Sequence, residues 1–148
     1  MKQGTTGAGS AQALPTLKKP RRVLLVEDNF LFAEATADFL RESGLEVRVA
    51  SSGAEAVRIA IEFRPDVVLC DLSLPGISGL NVLRVLRANP VTKHARLALH
   101  SAMSDLELKV LQRENVEGVN IFLSKPLTPE KLERLLGTVE AQSSRSRR

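Results

Sequence analysis

One pattern constrains this chain more than any other. A short apolar run rich in Val, Leu and Ile is followed by a stretch with apolar side chains at helical spacing, and the pair recurs five times. The apolar runs are Arg22–Glu27, Leu45–Ala50, Asp66–Cys70, Arg96–His100 and Val119–Leu123. Their branched and leucine-rich composition, with little alternation, suits strands buried on both faces. Between them the sequence predicts helices. Asn29 caps the first, which runs to about Ser43 with Phe32, Ala35, Thr36, Phe39 and Leu40 inward and Gly44 at its end. Ser52 caps the second, to about Phe63, with Val57, Ala60 and Ile61 inward and Pro65 beyond. Leu80–Ala88 presents Leu83 and Leu86 inward, and Ser104 caps a helix to about Glu114. Thr128 caps the last, with Pro129 in its first turn and Leu132, Leu135, Leu136 and Val139 inward. Strand and helix in strict alternation require right-handed crossovers and a parallel sheet covered on both sides. The fold class is α/β, a doubly wound five-stranded parallel sheet.

Composition limits the function classes. Hydrophobic residues make up 43% of the 148, enough for a folded core. No apolar run approaches the roughly 20 residues that span a bilayer. Cys70 is the single cysteine, which excludes an intramolecular disulfide framework and points to a cytoplasmic protein. The formal charge of +4 is uneven: residues 1–22 and 142–148 hold eight of the 21 basic residues and no acid. The remainder is therefore net acidic. Residues 1–20, with Pro15, Pro20 and many small polar residues, read as a flexible basic leader. Residues 21–142 form the folded unit and residues 143–148 a short basic tail. No membrane partner is expected, and without aromatics or a binding motif in the basic ends no nucleic-acid partner is expected either.

In a doubly wound sheet, function collects at the carboxyl ends of the strands. Glu27 and Asp28 follow the first strand, Asp71 the third, Ser101 the fourth, and Lys125 with Pro126 the fifth. Clustered carboxylates repel one another and call for a cation. Hard oxygen donors with open positions suit Mg²⁺, which keeps waters and recruits phosphate oxygens. Phosphoryl transfer needs an in-line nucleophile and positive charge on the equatorial oxygens. A carboxylate such as Asp71 is a competent nucleophile, an ammonium such as Lys125 a competent clamp, and Ser101 a hydrogen-bond donor.

The motifs Val26-Glu27-Asp28-Asn29, Asp71-Leu-Ser-Leu-Pro75-Gly76 with Gly79, Ser101-Ala102 and Ser124-Lys125-Pro126 stand in order, each at a strand end. On these the chain resembles a bacterial response-regulator receiver domain of the CheY type from about Arg21 to Gln142. The resemblance implies a flavodoxin-like fold with strand order 2-1-3-4-5. It implies Mg²⁺ held by Asp28, Asp71 and the backbone carbonyl of Ser73, with Glu27 acting mainly through water. Asp71 would accept the phosphoryl group, and Ser101 and Lys125 would contact its oxygens. The Lys125–Pro126 bond is expected to be cis. Ser101 and Phe122 occupy the switch positions, although a permanently buried Phe122 fits the residues equally well. The donor implied is a phosphohistidine on a histidine kinase or a histidine phosphotransfer protein. The activity implied is a signalling switch with autocatalytic acceptance and slow loss of the phosphoryl group, not an enzyme acting on a separate substrate.

Other residues are read more plainly. His100 should point away from the side of Ser101 and pack, since neighbours alternate along a strand. Cys70 should fill the core. Phe30 and Leu31 exceed what one core face needs and suggest a docking site for the kinase. Residues 112–120 form a long connection for the family. With no room after Gln142 for an output domain, a stand-alone regulator read by an unknown output protein is expected. The fourth helix, fifth strand and fifth helix offer the output face, where homodimerisation stays open. A receiver excised from a hybrid histidine kinase or larger regulator, and a phosphorylation-independent scaffold, also fit the sequence. A nucleotide-binding enzyme would need the glycine-rich phosphate loop that is absent after the first strand.

Overall fold

The computed structural model describes residues 22–114 and 118–146, with side chains through Gly137. The leader, Arg21, residues 115–117 of the long connection, Arg147 and Arg148, and the side chain of Val139 lie outside the described residues. Five strands and five helices alternate: β1 (Arg22–Val26), α1 (Phe30–Glu42), β2 (Glu46–Ala50), α2 (Gly53–Phe63), β3 (Val67–Asp71), α3 (Gly79–Ala88), β4 (Arg96–Ser101), α4 (Asp105–Arg113), β5 (Ile121–Ser124) and α5 (Pro129–Ser146). The strands form one sheet in the order β2-β1-β3-β4-β5, every pair parallel.

Two hydrophobic layers follow from strand alternation. Leu24, Val26, Val68, Cys70, Leu97, Leu99 and Phe122 pack on one face against Ala56, Ile59, Phe63, Val82, Leu83, Leu86 and Leu108 of α2, α3 and α4. Val23, Leu25, Val67, Leu69, Ala98, Ile121 and Leu123 pack on the other against Ala33, Ala37, Leu40, Leu132 and Leu135 of α1 and α5. β3 and β4 are buried throughout, as inner strands must be, whereas the edge strand β2 exposes Glu46 and Arg48. Buried Arg96 is satisfied in part by the Leu135 carbonyl, its Nε donating at 3.1 Å and tying α5 to β4.

The caps carry the helix starts. Asn29, Ser52, Ser78 and Ser104 each accept a hydrogen bond from the backbone N–H three residues on, and Ser104 completes a capping box with Glu107. Ser78 caps α3, which starts at Gly79, one residue before the expected Leu80. The second helix ends not at Pro65 alone but through Arg64, whose φ of 53° is left-handed.

Two inward assignments are corrected. Ala35 is exposed, because the buried stripe of α1 is Ala33, Thr36, Ala37 and Leu40. The two small alanines let the helix approach the sheet closely and leave Phe32 and Phe39 half-buried at its flanks. Ile61 is 40% exposed, since α2 turns Ala56, Ile59, Ala60 and Phe63 inward instead.

Candidate functional site

Alternation also decides which side chains meet at the strand ends. Glu27 and Lys125 continue the phase of Leu25 and Leu123, and Asp71 and His100 that of Leu69 and Ala98, so all four lie toward α1 and α5. Ser101 and Ser124, paired across β4 and β5, continue the phase of Leu99 and Phe122 toward α4.

Glu27 extends the ladder by donating its N–H to the Ala50 carbonyl at 2.9 Å. Its carboxylate is buried; Oε2 accepts from Asn29 N at 3.1 Å and Oε1 from Lys125 Nζ at 2.8 Å. Asn29 in turn caps α1, accepting from Phe32 N at 2.8 Å. The acid pair is thus pinned between a strand and a capped helix, with Asp28 turned to solvent.

Asp71 ends β3. Its Oδ1 accepts from Ser73 N at 3.3 Å and its Oδ2 lies 3.4 Å from Lys125 Nζ. Behind it, Gly79 N donates to the Leu72 carbonyl at 2.9 Å, and a Cβ at Gly79 would overlap the Asp71 carbonyl. Backbone packing therefore requires glycine there. Burial raises the Asp71 carboxyl above the usual range; Lys125 and the Ser73 N–H oppose that rise and Glu27 adds to it. Carboxylate oxygens of Glu27, Asp28 and Asp71 all lie within 4.8 Å of one another.

Lys125 is placed by its backbone: its N–H donates to the Ser101 carbonyl at 2.7 Å, and the Lys125–Pro126 peptide is cis. Its ammonium also lies 4.5 Å from the centroid of the Phe32 ring. That ring is 5.9 Å from the buried imidazole of His100. Among the described residues, His100 Nε2 has no hydrogen-bond partner. Burial, and then the ammonium groups of Lys125 and Lys131, push its pKa down to about 3, so it stays neutral.

Ser101 is buried, and its Oγ accepts from Met103 N at 3.1 Å. Phe122 packs inward among the α2–α4 layer. Phe30 and Leu31 are 72% and 78% exposed beside the acid cluster. Cys70 is fully buried, and burial raises its thiol pKa further from reactivity.

Residues 23–136 match the family model described as the response regulator receiver domain. The chain belongs to this family. Over 112 residues it is 36% identical to the DNA-binding response regulator MtrA of Mycolicibacterium paratuberculosis, covering 76% of this chain and 48% of that protein. It is 33% identical over 111 residues to the polar-differentiation response regulator DivK of Brucella anthropi, covering 74% of this chain and 87% of that one. The receiver domain (CheY-like) from Methylobacillus flagellatus superimposes with a TM-score of 0.71 at 29% identity, covering 80% of this chain and 98% of that one. The receiver chain spans about half the length of the MtrA relatives it matches. Its fold is that of the receiver domain of two-component response regulators. No helix among the described residues is long and apolar enough to cross a membrane.

The donor set of this receiver fits a hard divalent cation. Three carboxylates converge, two of them buried, and the exposed Asp28 leaves one side open to water. Lys125 offsets only part of that negative charge.

Sequence reasoning assigned no role to three residues that the fold links. Ser124 Oγ donates to Asp105 Oδ1 at 2.7 Å, and Lys131 Nζ donates to Ser124 Oγ at 2.8 Å and to the Ser124 carbonyl at 3.0 Å. Ser124 stood in the motif beside Lys125, but nothing in the sequence indicated that α4 and α5 would meet over it. Phe32 was legible as a helix-face residue and not as a neighbour of Lys125.

Proposed function

We propose that this receiver accepts a phosphoryl group on Asp71 from a phosphohistidine of a histidine kinase or histidine phosphotransfer protein, and signals by changing a protein-interaction surface. The observation that carries the reading is the ammonium of Lys125 lying 2.8 Å from Glu27 and 3.4 Å from Asp71, with Asp28 completing the acid cluster. An Asp71 carboxylate oxygen attacks phosphorus; the P–N bond of the phosphohistidine breaks, its electron pair returns to the imidazole nitrogen, and an acyl phosphate remains. Lys125 swings from its carboxylate partners to the equatorial phosphoryl oxygens, and Ser101 Oγ leaves Met103 N to donate to them. Asp28, Asp71 and the Ser73 carbonyl would hold Mg²⁺, with Glu27 acting mainly through water, and the ion when bound would supply charge neutralisation at the transferring group.

The signal leaves through Ser101. Its movement opens space on the α4 side, where Phe122 packs inward against the same layer. The face of α4, β5 and α5 is then read by an output protein, and the kinase docks beside the site on exposed Phe30 and Leu31. This is a cytoplasmic switch that loses its phosphoryl group slowly, not an enzyme turning over a separate substrate.

The test is incubation with acetyl phosphate and Mg²⁺ followed by rapid intact-mass measurement. A single phosphate adduct is expected for the wild type, absent in Asp71→Asn and absent without Mg²⁺. No adduct from acetyl phosphate or a phosphohistidine donor would overturn the reading.

A further inference from the structure

We propose that Phe32 is a positioning residue for Lys125: its ring, backed by the imidazole of His100, forms an aromatic platform that keeps the ammonium at the acid cluster and free to turn to the phosphoryl group. The proposal rests on Asp71 being the phosphoryl acceptor.

The geometry supplies three supports for one ammonium. Lys125 Nζ donates to Glu27 Oε1 at 2.8 Å, lies 3.4 Å from Asp71 Oδ2, and sits 4.5 Å from the Phe32 centroid. Its side chain is only 17% exposed, so water solvates little of the charge. A ring face attracts a cation within about 6 Å, and more strongly when both are desolvated. An aliphatic side chain at position 32 would give no such attraction, and the ammonium would regain solvation by swinging outward. A further carboxylate would hold it, but would neutralise the charge that the phosphoryl oxygens need. An aromatic ring attracts without directional hydrogen bonds, so it leaves the donors of Lys125 free to change partner.

The ring is itself supported. Asn29 caps α1 on the Phe32 N–H at 2.8 Å, fixing the first turn that carries it. His100 lies 5.9 Å away at an interplanar angle of 41°, an edge-tilted aromatic contact. His100 is 1% exposed, with Nε2 unpartnered among the described residues. As a neutral ring it fills the space under Phe32 without repelling the nearby lysine. An unpartnered buried nitrogen is costly. A plain hydrocarbon would fill the core more cheaply, so the imidazole is explained better by its ring contact than by core filling.

The experiment compares wild type, Phe32→Leu, Phe32→Met and Phe32→Tyr. The first readout is the rate of Asp71 phosphorylation by acetyl phosphate in Mg²⁺ buffer. The second is the side-chain CεHε resonance of Lys125 in protein labelled with ¹³C-lysine, assigned by its disappearance in Lys125→Arg. Phe32→Leu and Phe32→Met should lower the rate about tenfold, the factor expected for losing a desolvated cation–π contact. They should also abolish the upfield ring-current shift of Lys125. Phe32→Tyr keeps a ring face and should restore both. A Lys125 resonance that Phe32→Leu leaves unmoved would overturn the proposal. So would a rate loss that Phe32→Tyr fails to rescue, because that marks general packing damage. If the wild type takes no phosphoryl group, the Asp71 reading fails instead, and the resonance still decides whether Phe32 holds Lys125.

Discussion

Lys125 and Glu27 meet at 2.8 Å across 98 residues of chain, and both are largely withdrawn from water. A buried carboxylate left without its cation carries an uncompensated desolvation cost. Lys125→Met should therefore destabilise the protein by about 3 kcal/mol in metal-free buffer. Saturating Mg²⁺ should recover part of that loss, because binding to the folded state alone adds stability. Urea unfolding with and without Mg²⁺ checks both.

Asp71 is the opposite case. Its pKa is raised by burial and by Glu27, so its contribution to stability is fully present below its unfolded pKa and lost as pH rises through its folded value. At neutral pH the carboxylate is a liability to the fold. Asp71→Asn should abolish the phosphate adduct and yet shift the metal-free urea midpoint upward. A lower midpoint would mean that the Lys125 and Ser73 contacts outweigh burial.

His100 gives the protein an acid-sensitive core. Its pKa falls from 6.5 to about 3 in the folded state, so the unfolded chain takes up the proton first. The stability held above pH 6.5 is lost as pH falls toward 3, with a slope of up to about 1.4 kcal/mol per pH unit. His100→Leu removes this term. The stability difference between His100→Leu and wild type should move in favour of the variant by about 2 kcal/mol between pH 7 and pH 5. Chemical denaturation at the two pH values measures it.

Gly79 supports Asp71 from behind by the absence of a side chain. Gly79→Ala must displace backbone, which costs about 3 kcal/mol for an overpacked interior. The displaced atoms belong to Asp71 and Leu72, so phosphorylation by acetyl phosphate should slow as well. Thermal unfolding and intact mass test the pair of effects, and a variant with normal stability and rate would show that the α3 start can shift freely.

The sequence by itself determined the alternation of strands and helices, the caps at Asn29, Ser52 and Ser104, and the run of Glu27, Asp28, Asp71, Ser101 and Lys125 at strand ends. These were legible because apolar spacing and capping chemistry act within a few residues, and because a parallel sheet puts all its carboxyl ends on one rim. Tertiary structure decided the rest. Which stripe of α1 and α2 turns inward depended on how closely Ala33, Ala37 and Ala56 let each helix approach the sheet, so Ala35 and Ile61 were misplaced. Why position 79 is glycine depended on the Asp71 carbonyl packed against it. The Ser124 links to Asp105 and Lys131, and the stack of Lys125, Phe32 and His100, join separate segments that only strand pairing and helix docking bring together. Asp71 and Lys125 were readable as chemistry; the surroundings that tune them are set by contacts between distant segments.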